Sequence, residues 1–365
     1  MRIGGRQSSE PFKGRWCLGD SDRSSKMKKI GLSQSGIALI IVLWVLILLS
    51  VIVLEFCFSM RTELNTTRNF KEEGQLYFYA RGGVQRAVAE LIYQNDLAIH
   101  NKRKDLKTEE SGIEMEWRCD GTPYSVPFPS GEAEVRVRSE AGRINLNGVP
   151  ENILRKVIQY FLQIGEKRDI VVDSILDWRD PDDLHRLNGA ENDYYRSLPE
   201  PYDCKNGDFD SVEELLLVRG ITPELFYGRK GKDQEDQKSP TIGLRDIFTV
   251  FSTAANVDIN NAPVEVLMAL LGISSEVAKR VAMVRGDKEF SNLPELFQRV
   301  PEIVPFVTQE LQSTIAFRST TPYYTVVSLG KTKAGESKRG LECVVKIDKK
   351  EKSGYKVVMW KDIVL

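Results

Sequence analysis

Residues 37–54 read IALIIVLWVLILLSVIVL, an apolar run without a charge or a break, directly behind the basic stretch KMKKIGLSQSG. As a helix rising 1.5 Å per residue it covers about 27 Å, close to the depth of a hydrocarbon core. The run constrains the rest of the chain. Lys26, Lys28 and Lys29 lie on its N-terminal side, which predicts a cytoplasmic N-terminus and an exported C-terminal bulk. A cleaved secretory signal fits poorly, because the run is too long and lacks an A-x-A-like end. Beyond it lies instead an amphipathic pattern that continues the same helix.

Residues 1–26 are polar and unpatterned, and Met27 restarts the chain as MKKIGLSQSG. Met27 is a candidate start, and residues 1–36 read as a basic leader outside the fold. A further reading of the leader is prepilin-like. The cut then falls on the cytoplasmic side after Gly36, Ile37 becomes the first mature residue, and the apolar run is kept.

The other bulk properties exclude more than they assign. With 51 basic and 52 acidic residues, the charge balance argues against a nucleic-acid partner. Two histidines exclude a His-rich metal site. Cys17, Cys57, Cys119, Cys204 and Cys343 contain no CxxC pair, so no zinc site is indicated. No nucleophile elbow, P-loop or zincin motif is present, and an enzyme is not expected.

Past Leu54 the apolar residues Leu76, Tyr79, Gly83, Ala87 and Leu91 keep helical spacing. The spacing predicts one helix over residues 37–97, roughly 90 Å long if unbroken, with an apolar stripe that must pack on something. A sheet is the expected partner. Ile113, Met115, Trp117 and Cys119 alternate with polar residues, as do Ala133, Val135 and Val137. Alternation returns at 323–329, 341–347 and 355–364, separated by the loops KTKAGESKRG and DKKEKSG. Sheet segments are therefore expected over 98–146 and 320–365. Cys119 and Cys343 both fall on the apolar phase; they are core residues or, in an exported domain, the first candidates for a disulfide.

Between the strand groups, residues 147–319 change to helical periodicity, which predicts an all-α insertion. A weak repeat runs through it. Asn147-Gly-Val-Pro150 with Leu154 echoes Asn260-Asn-Ala-Pro263 with Leu267, and Val171, Ile175 and Arg179 echo Val277, Val281 and Arg285. Each Asn is placed to cap a helix, with Pro at its first turn. Ser211 and Glu214 have capping-box spacing.

Two segments could carry chemistry. Asp177, Asp180, Asp182 and Asp183, followed by Gly189, Glu191 and Asp193, supply many oxygens on a turning backbone. Calcium takes six to eight such ligands, although the spacing is not that of an EF-hand. Mg²⁺ or a solvated acidic loop is the alternative. The second segment, 257–285, is similar to helix-hairpin-helix modules, but Ser274 stands where the second turn glycine would approach a phosphate. It reads as a packing module.

Gly36 with its apolar helix, the SILDWRDPDD…NGAENDYY…FDSVEELLLVRGIT run and the NVDINNAPVEVLMALLGIS segment resemble the general secretion pathway protein K family. These are the large minor pseudopilins of type II secretion systems. The resemblance spans residues 36–365. It implies an α+β, pilin-like fold: a long N-terminal helix packed on an antiparallel sheet, with a large SAM-like or helix-hairpin-helix-like insertion. It implies calcium in that insertion, with Asp180, Asp182 and Glu191 as ligands and Asp177, Asp183 and Asp193 as further candidates. It also implies cleavage after Gly36 by prepilin peptidase and N-methylation of Ile37. The expected setting is the bacterial inner membrane, single-pass, with the C-terminal domain in the periplasm. The expected partners are other minor pseudopilins, the major pseudopilin and the inner-membrane secretion platform. Most pilins carry Glu at the fifth mature position, to meet the amine of the subunit above. Here Ile41 stands there, as befits a tip subunit with nothing above it. Ile37 itself departs from the commoner Phe or Met. The competing readings are a type IV pilus minor pilin, a membrane-anchored DNA receptor and an anchored hydrolase using the acidic loop.

Overall fold

A computed structural model describes residues 34–96, 117–228, 242–252, 254–318, 321–332 and 338–363. The chain forms two compact units, Met1–Thr67 and Arg68–Leu365. Helix α1 spans Gln34–Asn95. No proline interrupts it, and the Ser50, Thr62 and Thr66 hydroxyls donate to the carbonyls four residues back, so they expose no unpaired donor. Residues 36–67 are exposed throughout, and one window reaches a mean hydropathy of 3.5. That is the expected surface for a segment whose solvent is lipid. At the far end Asn95 Nδ2 donates to the Leu91 carbonyl at 2.9 Å, folding the side chain back onto the last turn.

In the second unit the same helix buries Leu76, Ala80, Val84, Ala87, Val88 and Leu91 against an antiparallel sheet. Its strands are β1 Asp120–Phe128, β2 Gly131–Ser139, β7 Tyr323–Thr332, β8 Lys338–Ile347 and β9 Tyr355–Ile363, in the order β1-β2-β7-β8-β9. Small residues set the helix–sheet distance. A Cβ on Gly83 would lie 2.7 Å from Val135 Cγ2, and one on Gly330 would strike the Leu76 carbonyl oxygen. Ala133, Val135 and Val137 point into this core, with Val326, Leu341 and Cys343 beside them.

The two edges differ. β1 carries Pro123 and Pro127 and a register shift after Asp120. β9 has no proline and leaves Val357, Val358 and Trp360 exposed.

One sequence expectation needs correction here, and one open alternative is decided. Trp117 and Arg118 are not in a strand, although residues 113–116 lie outside the described residues. Trp117 stacks on Tyr124 with ring centroids 4.6 Å apart, and Arg118 donates to the carbonyls of Arg285 and Gly286. Side-chain pairing, not strand pairing, fixes this stretch. Nor are Cys119 and Cys343 bridged: the Cys119 thiol contacts Gln94 Oε1 at 3.8 Å, while Cys343 is sealed in the core.

The segment between β2 and β7 has its own core and is built twice on one plan. In the first copy β3 Ile144–Asn145 pairs in parallel with β4 Phe248–Thr249. In the second β5 Val257–Asp258 pairs in parallel with β6 Ile315–Ala316. The insertion is thus helical but not all-α. Each first strand feeds a helix pair: α2 Glu151–Phe161 with α3 Glu166–Arg179, and α4 Val264–Leu271 with α5 Ser275–Asp287. Arg179 donates to the carbonyls of Leu146 and Val149; Arg285 donates to those of Ile259 and Ala262.

The repeated asparagines do not cap these helices. Pro150 and Pro263 hold the N-cap positions in extended conformation, without a side-chain cap bond. Asn147 instead pairs both ways with the Phe209 backbone, at 2.8 and 3.0 Å. Asn260 does the same with Phe290, at 2.9 Å in each direction. An amide offers one donor side and one acceptor side, so it mimics a strand neighbour for each phenylalanine. The Ser211/Glu214 capping box forms as expected, on a 3₁₀ helix, Val212–Leu217. Its counterpart is Glu295, which accepts from Ser291 N at 2.9 Å.

Candidate functional site

The acidic loop leaves α3 at Arg179 and returns at Phe209. Trp178 and Tyr195 pack edge to face with centroids 5.2 Å apart, and Tyr195 is fully buried. This aromatic contact tacks the loop to the core. Around it the six acidic candidates fall into different settings.

Asp177 is fully buried and saturated. It accepts from Arg186 N, at 3.1 Å to Oδ2, and from Arg186 Nη1, at 2.8 Å to Oδ1. Burial pushes its carboxyl above the usual range, opposed by Arg186. The same Nη1 donates to Asp180 Oδ2 at 2.7 Å, but Asp180 Oδ1 is buried without a donor. Asp182 is exposed and uses Oδ1 to accept from Leu184 N. Asp183 Oδ1 accepts from Asn192 Nδ2 and Asn206 Nδ2. Asp193 is exposed and accepts from Tyr194 N.

Glu191 is the outlier. It is 1 % exposed, and neither carboxylate oxygen has a hydrogen-bond donor. The Cys204 thiol beside it is only a weak donor. Burial raises its pKa to about 7, reinforced by the negative charges of Asp177, Asp180 and Asp183. Burial likewise pushes the Cys204 thiol up to about 12.

Native structures leave few buried oxygens unpaired, yet this loop holds several: both of Glu191, Oδ1 of Asp180, and Oδ1 of Asn206. Among the described residues, no group of three or more His, Cys, Asp or Glu stands ready-gathered as a metal cluster. The unpaired oxygens belong to carboxylates and one amide, a chemistry that could hold a hard cation such as calcium rather than a soft metal. Asn206 is the residue the sequence reading missed. Its signal was the Asn206-Gly207 dipeptide, a turn mark inside an otherwise acidic stretch.

The other candidate site lies on α1. Gly36 and Ile37 sit in its first turn; Ile37 is exposed, and nothing lies within 4 Å of a Cβ built on Gly36. In the helix-hairpin-helix-like turn, Gly272 adopts a left-handed conformation, φ 70°. Ser274 uses its hydroxyl to cap α5 through Val277 N.

Comparison with known proteins gives a consistent answer. The family described as "Type II secretion system (T2SS), protein K" matches residues 142–228, the part of the first copy from β3 through the acidic loop, short of β4. The type II secretion system protein K of Pseudomonas aeruginosa is 25% identical over 280 residues, covering 74% of this chain and 78% of the relative. That of Aeromonas hydrophila is 26% identical, covering 53% and 61%. Among solved structures, the GspK-GspI-GspJ complex from the enterotoxigenic Escherichia coli type 2 secretion system contains a chain with the same fold. The TM-score is 0.54 at 15% identity, covering 82% of this chain and 99% of that one.

Proposed function

We infer that this chain, which belongs with the protein K family of type II secretion systems, is a minor pseudopilin that helps initiate and cap a periplasmic pseudopilus. The observation that carries this reading is helix α1. One helix is exposed over 36–67, apolar without a charge over 37–54, and buries an apolar face beneath an antiparallel sheet further along. A bilayer anchor and an assembly element thus lie on the same helix. Such a subunit waits in the inner membrane and joins a filament through the same helix. Its partners are other minor pseudopilins, as in the solved complex that its fold matches, together with the major pseudopilin and the secretion platform. Its role is assembly, not catalysis.

Ile41 supports a place at the tip. A carboxylate at that position would need a cationic partner to be buried in lipid or filament, and a subunit with nothing above it has none to offer. Prepilin peptidase would cut after Gly36, and Ile37 would be N-methylated. The test is intact mass and N-terminal sequencing of membrane-extracted protein, with and without the peptidase. A methylated Ile37 terminus only when the peptidase is present is the expected result. An identical, unprocessed terminus in both strains would sink the pseudopilin reading.

The acidic loop would bind calcium, with Glu191 and Asp180 as principal ligands and Asp183 and the exposed Asp182 at its margin. The ion would compensate their shared negative charge and bind the folded form alone, which adds stability by mass action. Calcium should therefore raise the unfolding midpoint and magnesium should do so less. Equal midpoints in calcium and in chelator would overturn it.

A further inference from the structure

We propose that Asn206 is the ligand that closes the cation site, and that the cation orders only residues 180–208, not the framework around them. This rests on the cation reading above and adds to it a residue and a boundary.

The boundary comes from the duplication. In the first copy, 29 residues separate Arg179 from Phe209; in the second, the four residues 286–289 separate Arg285 from Phe290. Both copies nevertheless reach the same end state. Each Arg holds two carbonyls of its strand-to-helix turn. Each Asn pairs both ways with its Phe. Each following Glu accepts from the N–H just after that Phe, Asp210 in the first copy and Ser291 in the second. None of these bonds passes through the long loop, and the second copy makes them without one. The framework therefore needs no cation. Tyr195 keeps the loop attached through Trp178 and through its hydroxyl, which accepts from Arg219 N at 3.2 Å.

The residue is singled out by its geometry. Asn206, with φ 47°, is the one non-glycine residue at positive φ among the described residues. That conformation is disfavoured for an L-residue unless local bonds hold it. Here they do. Its Nδ2 donates to the Asp182 carbonyl and to Asp183 Oδ1, each at 2.9 Å, which fixes the amide so that Oδ1 is buried without a donor. Asp183 Oδ1 also receives Asn192 Nδ2 at 2.7 Å, next in sequence to Glu191. Asp180 stands where the loop departs and Asn206 where it returns. A cation held between their free oxygens and Glu191 shuts the loop at its neck.

The test is calcium binding by calorimetry on the full-length protein in detergent, paired with hydrogen exchange, for wild type, Asn206→Ala and Asn206→Asp. Asn206→Ala is expected to weaken binding at least tenfold, and Asn206→Asp, which keeps the oxygen, to restore it. Chelation should speed exchange across 180–208 and leave the Phe209 and Phe290 amides protected. Wild-type affinity in Asn206→Ala would overturn the ligand assignment. Loss of protection at Phe290 on chelation would overturn the boundary. No calcium binding by wild type would instead remove the cation reading itself, and the proposal with it.

Discussion

A buried carboxylate can hold a metal or hold the protein, and the partners of each decide which. Asp177 has both oxygens engaged by Arg186 and a glycine pressed against it: a Cβ on Gly189 would collide with its Oδ2. Asp177→Ala should therefore cost about 2 kcal/mol of stability, read as the urea midpoint, with and without calcium alike. Glu134 offers a pH signature elsewhere. Lys331 first, then Arg136, hold its carboxyl below the ordinary value of 4.5. A depressed folded pKa gives stability that is full above 4.5 and is lost as pH falls through the folded value. Glu134→Gln should remove that slope. Because the side chain is partly solvated, the change is about 0.5 kcal/mol, measured as the wild-type minus variant midpoint at pH 6 and pH 3. The acidic loop was legible in the sequence because carboxylates are dense there. Their division was not, because Arg186 reaches Asp177 only once the loop has turned. Asn206 carries no charge to draw attention.

Among the elements, the duplication was half visible. Asn147 and Asn260 announced it by sharing a three-residue lead to a proline, but their work is not capping. Each amide completes the backbone of a distant phenylalanine, a pairing invisible to local spacing. The partner strips, FDSVEEL and FSNLPEL, share too little to be matched by eye. Asn260→Ala should strand a donor and an acceptor on Phe290 and cost about 2 kcal/mol. Asn260→Asp should recover only the acceptor half. Differential scanning calorimetry on both variants would measure this. The helix was legible from its apolar run and stripe. The first strand was misplaced because Trp117 and Cys119 keep an alternating phase while ring stacking and Arg118 fix the backbone there. Gly83 was read as part of a stripe; in the structure it is the point of closest approach. Gly83→Val should part helix from sheet and lower stability by about 2 kcal/mol, seen as a falling thermal midpoint.

For the molecule as a whole, the sheet and its helical insertion meet at a buried joint. Glu140 accepts hydroxyl hydrogen bonds from Thr249 of the insertion and from Thr325 of the sheet. Glu140→Ala should loosen that joint before it unfolds either side. Hydrogen exchange at Thr249 and Thr325 should then rise while the Phe290 amide stays protected. The sheet's two unlike borders carry a consequence of their own. Prolines at 123 and 127 remove two backbone donors from one border; the other has no proline, shifts register once against β8 at Val344/Val345, and keeps apolar side chains on show. A neighbour that adds through its backbone is turned away on the first side and accommodated on the second. The sheet is therefore a lateral arrow: it gives whatever assembles around it a sense of direction that no symmetric sheet could supply.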